Sequence, residues 1–154
     1  MSILNGTLIN SFEGPSTPSM NTPSGLQLFV DYINVLEGIK TKIKNLHWSA
    51  KKLPNSDKRG AHLYLDDFLG VVSDFQDTVA ESSQGQYGVM DTNAVSGVPF
   101  QCSSPKELMN YVEERTAAFY ISIPEGPISS GVKSETETFI KNVEKYKYLF
   151  DLTE

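Results

Sequence analysis

The chain has 154 residues, a net charge of −6 and a hydrophobic content of 39%, a composition typical of one globular domain. No apolar run approaches the roughly 20 residues of a membrane-spanning helix, and no secretory leader is predicted. A single cysteine excludes an intramolecular disulfide framework and a Cys-rich zinc site. The acidic balance lacks the positive footprint of a nucleic-acid binder, so we expect a cytoplasmic-type domain.

The first 24 residues differ in composition from the rest. They are rich in Ser, Thr, Asn, Gly and Pro, contain no Lys or Arg, and carry one charge, at Glu13. Such a stretch cannot bury enough apolar surface to fold by itself. We therefore predict a flexible arm over residues 1–24 and a folded domain over residues 25–154.

A long amphipathic helix is predicted directly after the arm. Apolar residues recur every three or four positions from Leu26 to Leu46, which is the period of a helix with one buried face. Ser24 is a suitable N-cap, and lysines gather toward the other end, where the helix dipole favours positive charge. This first helix is placed at about 25–50.

A second helix follows a polar turn that contains Pro54. Its apolar positions run from Leu65 to Val79 with the same spacing, and Gly85 is a helix-stop residue. The second helix is therefore placed at about 58–84, and it forms a hairpin with the first.

Two further helices are predicted, each beginning with a capping box. Ser104 and Glu107 flank a proline at the first helical position, and Ser134 and Glu137 repeat the pattern later in the chain. The stretch 85–104 is too rich in Gly and Pro for a long helix, so it must cross from one end of the molecule to the other. Four amphipathic helices with one extended crossover predict an all-α four-helix bundle.

Both histidines of the chain lie near the predicted hairpin, His47 at the end of the first helix and His62 at the start of the second. Asp66 lies one helical turn beyond His62, and Asp77 and Glu81 form another pair four positions apart. Imidazoles and carboxylates in pairs at helical spacing are the ligands that an iron or manganese site requires. This spacing predicts that the five residues bind a metal ion.

Helix geometry restricts how these residues can meet. His62 and Asp77 are about 22 Å apart along one helix, although they lie on similar sides of it. A two-fold dimer with antiparallel second helices would bring His47 and His62 of one subunit opposite Asp77 and Glu81 of the other, giving two equivalent sites. The ordinary ferritin motif, Glu-x-x-His, is absent because neither histidine has a glutamate three positions before it.

The same residues resemble those of the mini-ferritins, the DNA-binding proteins from starved cells (Dps). In that family His-Trp ends the first helix, as at 47–48 here, and His-x-x-x-Asp follows, as at 62–66. Asp-x-x-x-Glu comes 15 residues after the second histidine, as at 77–81. The segment 82–88 (SSQGQYG) is similar to sequences in Dps-like proteins of tailed bacteriophages. The resemblance covers residues 25–154 and implies a ferritin-like bundle.

The resemblance also implies iron chemistry. Fe²⁺ would bind through the five predicted ligands, be oxidised by peroxide or O₂, and be stored as ferric mineral in a hollow shell of two-fold dimers, typically a dodecamer. Mn or Zn could occupy the same ligands. Trp48, beside His47, resembles the family's tryptophan near the iron site. DNA and membrane partners are not expected, and the compartment would be the bacterial cytoplasm, or the host cytoplasm for a phage protein.

Other interpretations remain open from the sequence. The chain could be a structural protein of a virion or an assembly, with a vestigial or structural metal site and the arm as a tether. A His–Asp pair on a helix is also often a surface ion pair. A small basic cluster in the polar turn could contact phosphate; it consists of Lys51, Lys52, Lys58 and Arg59.

Overall fold

The computed structural model describes residues 23–154 and contains four α-helices and no strand in that part of the chain. The helical class predicted from the periodicity is confirmed for these residues. The predicted arm lies outside them, except for its last two positions. The helices are α1 (Pro23–Trp48), α2 (Lys58–Tyr87), α3 (Pro105–Ser122) and α4 (Ser130–Asp151), with a 3₁₀ turn at Ala50–Lys52.

The four helices pack as a bundle, in the order α1, α2, α4, α3 around one core. α1 and α2 are antiparallel neighbours. α3 begins near the α1–α2 loop, where Lys106 and Asn55 line one pocket. It ends near the start of α1, where the rings of Phe119 and Phe29 lie edge to face with centroids 5.7 Å apart. α2 and α3 therefore run in the same direction, and the segment 88–104 spans the bundle between them.

The crossover segment is held against α1 by Asn34. The side-chain amide of Asn34 bonds three backbone groups of residues 94–97 at 2.7–2.9 Å, and the backbone carbonyl oxygen of Asn34 accepts the N–H of Val98 at 2.9 Å. Gly38, one helical turn later, lies directly under Val98, so that a Cβ at this position would overlap the Val98 carbonyl. The crossover is thus fixed by backbone hydrogen bonds and by one close approach that only glycine permits.

The ends of the first two helices differ from the prediction. α1 begins at Pro23, so Ser24 lies in its first turn and not at the N-cap. α2 continues through Gly85 and ends at Gly88. Gly85 is tolerated inside the helix because a glycine there costs only about 1 kcal/mol, whereas the chain leaves α2 at Gly88 with a φ of +99°, which glycine adopts without strain.

Ser104 caps α3 as predicted, with the reciprocal bond of its box displaced by one residue to Ser103, whereas the box predicted for α4 does not form. The backbone N–H of Glu107 donates to the hydroxyl of Ser104 at 3.2 Å, while the Glu107 carboxylate accepts the N–H of Ser103 at 2.8 Å. α4 begins earlier than predicted, at Ser130, so Ser134 lies one turn inside the helix. The preceding loop already turns at residues 126–129, where backbone bonds start the helix before the second box is reached.

Candidate metal centre

The two imidazole rings stack on each other at the α1–α2 hairpin. His47 lies in the last turn of α1 and His62 near the start of α2, and both side chains are half-buried. Their ring centroids are 3.9 Å apart, with an angle of 11° between the ring planes. The hairpin therefore brings together two ligand side chains that are 15 positions apart in the sequence.

Each ring is oriented by the backbone of the other histidine. Nδ1 of His47 lies 3.0 Å from the carbonyl oxygen of His62, and Nδ1 of His62 lies 3.1 Å from the carbonyl oxygen of His47. A carbonyl oxygen only accepts, so Nδ1 carries the proton in both rings, and the lone pair of each neutral imidazole is on Nε2. A ring that donates its other N–H to a carbonyl is the usual state of a metal-ligating histidine.

The three predicted carboxylates lie on the exposed surface of α2. Asp66 follows His62 by one turn, while Asp77 and Glu81 lie near the other end of the same unbroken helix. Among residues 23–154, no three His, Cys, Asp or Glu side chains come together to hold a metal ion. A single chain therefore brings together His47 and His62, and it brings none of Asp66, Asp77 and Glu81 into a ligand group with them.

The four predicted ligands of α2 share one face of that helix. At 100° per residue, positions 62, 66, 77 and 81 fall within about 100° of its circumference. The buried positions, such as Leu65 and Val72, point elsewhere, into the core. Gly70 and Ser73 lie midway along the same exposed face, and a Cβ at Gly70 would meet no atom within 4 Å. The middle of this face thus carries little side-chain bulk.

Trp48, predicted as an aromatic near the site, is the last residue of α1 and is 75% exposed. Leu63, next to His62 on α2, is 49% exposed. Two large apolar side chains therefore follow the two histidines in sequence and remain largely open to solvent in the single chain. Their exposure is compatible with burial against a second molecule.

A polar network that the sequence pattern did not reveal links α1 and α2 at mid-height. Gln76 is buried and donates to a carboxylate oxygen of Glu37 at 3.0 Å, and it accepts from the Lys40 ammonium at 2.8 Å. The hydrogen bond from Gln76, assisted by the charge of Lys40, lowers the pKa of Glu37. The network joins the two helices and uses none of the predicted ligands.

The chain was also compared with known proteins. No protein-family model matches it, and no curated protein matches it either. Within residues 23–154, no helix combines the length and hydrophobicity needed to cross a bilayer. The chemistry of the chain therefore has to be read from the histidine pair and from the carboxylates on the exposed face of α2.

Proposed function

We propose that the chain is a Dps-like ferroxidase and iron-storage protein, which oxidises Fe²⁺ at sites shared between two copies. The observation that carries this proposal is the reciprocal bonding of His47 and His62 on stacked rings, because a neutral imidazole that donates from Nδ1 has its lone pair on Nε2. Two imidazoles together with carboxylates form a donor set that suits Fe²⁺, and Mn²⁺ or Zn²⁺ could bind the same atoms.

The carboxylate face of α2 supports sharing between copies. In an antiparallel pair of α2 helices, positions equidistant from the midpoint between residues 71 and 72 face each other. His62 then faces Glu81 of the second copy, and Asp66 faces Asp77. The pairing is two-fold symmetric, so each dimer carries two equivalent sites. At the crossing point Gly70 faces Ser73, and neither residue has a large side chain to keep the helices apart.

The order of helix directions also supports the proposal. A bundle in which the second and third helices run in the same direction, joined by one long crossover, is the arrangement of ferritin-like folds. The segment 88–104 makes that connection here. Fold alone does not determine activity, so this argument is secondary to the histidine pair.

The proposed reaction is a two-electron oxidation. Two Fe²⁺ ions each give one electron to one H₂O₂, whose O–O bond breaks to leave two hydroxide ions, so that no hydroxyl radical is released. The resulting Fe³⁺ hydrolyses and is stored as mineral inside a hollow oligomer, for which we propose twelve subunits built from two-fold dimers.

The experiment measures Fe²⁺ oxidation and assembly mass on the same preparations. The parent protein should oxidise Fe²⁺ with H₂O₂ at a ratio near two to one and should elute as a large closed oligomer. His62→Ala and Asp66→Ala should each lose the protein-dependent rate. Asp67→Ala, which removes a neighbouring charge from a different face of α2, should retain it.

Two results would contradict the proposal. One is an oxidation rate in His62→Ala equal to that of the parent. The other is a parent protein that stays monomeric and accelerates no Fe²⁺ oxidation, which would favour the structural role in a virion or assembly.

A further inference from the structure

The loop between α1 and α2 is anchored to the end of α4, chiefly at Thr153. The Thr153 hydroxyl lies 2.9 Å from Nδ2 of Asn55. Its carbonyl oxygen accepts the backbone N–H of Asp57 at 2.9 Å, while the Ser56 hydroxyl donates its one proton to the carbonyl oxygen of Glu154 at 2.6 Å. Thr153 is 1% exposed and Asn55 is 3% exposed. Two of three consecutive loop residues therefore bond Thr153, and the third bonds the residue after it.

The direction of the central hydrogen bond is fixed. The Thr153 hydroxyl donates its one proton to the carbonyl oxygen of Phe150 at 2.6 Å, so it must accept from Nδ2 of Asn55. The other amide atom of Asn55, Oδ1, is buried without a hydrogen-bond partner among the described residues. Removal of the Thr153 hydroxyl would therefore leave the whole Asn55 side chain buried and unbonded, which is strongly unfavourable.

Thr153 also contacts the first turn of α2, a short distance before His62. Asp57 is the N-cap of α2, and its carboxylate accepts the N–H of Gly60 at 2.8 Å. A Cβ on Gly60 would lie 3.2 Å from the Thr153 methyl carbon, so this methyl packs beside the Gly60 backbone. The hydrogen bonds from Asn55 and from the N-cap residue to Thr153 therefore fix where α2 begins, and the methyl group fills the space beside it.

The position of that first turn determines the geometry of the imidazole pair. The two Nδ1 atoms reach the opposite carbonyl oxygens at 3.0 and 3.1 Å. Hydrogen bonds weaken quickly beyond this range, so both can form only at one spacing between the end of α1 and the start of α2. We infer that Thr153 is a positioning residue for His47 and His62, acting through Asn55 and the N-cap of α2.

Two substitutions at position 153 separate the hydroxyl from the methyl group. Thr153→Val keeps the shape and removes the hydroxyl, while Thr153→Ser keeps the hydroxyl. Thr116→Val is the matched control, because it removes another buried hydroxyl, bonded to Tyr32 at 2.9 Å, far from the hairpin. The chain contains only two histidines, so NMR of their ring protons, which sense stacking, reports on this pair alone.

In metal-free Thr153→Val we expect the two histidine ring signals to move toward the positions of unstacked imidazoles. Thr153→Ser and Thr116→Val should keep the parental signals. The effect of Thr153 on metal binding rests on the proposed function, so Co²⁺ binding is measured as a second readout. Thr153→Val should lose affinity for Co²⁺ by about tenfold or more, as expected when the support of a ligand is removed.

Parental ring signals in Thr153→Val, or an equal displacement in Thr116→Val, would overturn the role of Thr153. If Thr153→Val does not fold, Asn55→Ala removes the other partner of the same bond and must displace the ring signals in the same way, or the inference fails. A parent protein that binds no Co²⁺ would count against the proposed function, while the metal-free ring signals would still decide the positioning role.

Discussion

A site shared between two copies makes a prediction that a site within one chain cannot make. In the proposed site, His62→Ala removes one of the two imidazoles and Asp77→Ala removes one of the two carboxylates of the other copy, so each variant alone should be inactive. In a mixed dimer, one site combines both defects. The other takes His62 from the Asp77→Ala copy and Asp77 from the His62→Ala copy, and it is intact. Mixing two inactive proteins should therefore restore Fe²⁺ oxidation.

The size of the recovery follows from the two-fold symmetry. Random reassociation of equal amounts makes half of all dimers mixed, and each mixed dimer has one intact site out of two. The mixture should thus reach about a quarter of the parental rate per chain. The geometry excludes rescue within one chain, because the two residues are about 22 Å apart along an unbroken α2.

The assay dissociates both variants, mixes them, allows reassembly and measures the initial rate of Fe²⁺ oxidation by H₂O₂. Native mass spectrometry of intact dimers released from the oligomer measures the fraction that contains one copy of each variant. The two kinds of chain can be told apart because the two substitutions change the chain mass differently. A control mixture of His62→Ala with Asp66→Ala should stay inactive, because both defects lie on the same side of the site. A fully exchanged mixture with no recovered rate would refute the sharing of ligands between copies.

Three further predictions concern the surface of α2, the crossover and the cysteine. Gly70→Leu should stabilise the isolated chain slightly, because the new side chain has open space and leucine has the higher helix propensity. The same substitution should shift the protein to monomers in size-exclusion chromatography, because it places a large side chain where the two α2 helices are proposed to cross. The control Gly85→Leu should not change the oligomeric state. Gly38→Ala should lower the free energy of unfolding by about 1–3 kcal/mol in urea titrations, because its methyl group would overlap the Val98 carbonyl; unchanged stability would contradict this packing. Burial raises the pKa of Cys102, so its alkylation at pH 8 should be slower in the folded protein than in urea, and equal rates would count against it.

The helices were predictable because their signals are local. The apolar period of α1 and α2 and the box at Ser104 act within a few residues, and the structure follows them. The error at the end of α2 also has a local cause, because two nearby glycines could each end the helix. The sequence pattern predicts a helix stop at Gly85, but glycine inside an exposed helix costs only about 1 kcal/mol, whereas Gly88 provides the positive φ that ends α2.

The contacts that fix the crossover and the hairpin were not predictable, because each depends on residues far away in the sequence. Asn34 has the pattern of an ordinary polar position on α1, and its partners lie about 60 residues later. Thr153 bonds a loop that precedes it by 98 residues at Asn55. A single-sequence pattern carries no information about such pairs, so the way in which the hairpin is held could not be foreseen.

For the candidate site too, the position of the histidines was predictable from local sequence, whereas their orientation depends on distant contacts. The sequence places His47 and His62 at one hairpin, but stacked rings and exchanged hydrogen bonds require a spacing that α4 imposes from outside the hairpin. The spacing matters for chemistry because each backbone bond selects the tautomer with a free Nε2 atom. A hairpin with the same two histidines but a less rigid loop would lose the bonds from Nδ1 to the opposite carbonyl oxygens. Neither ring would then be fixed in the tautomer that has a free Nε2 atom. Affinity for Fe²⁺ should therefore depend on the distant contact as well as on the ligands themselves.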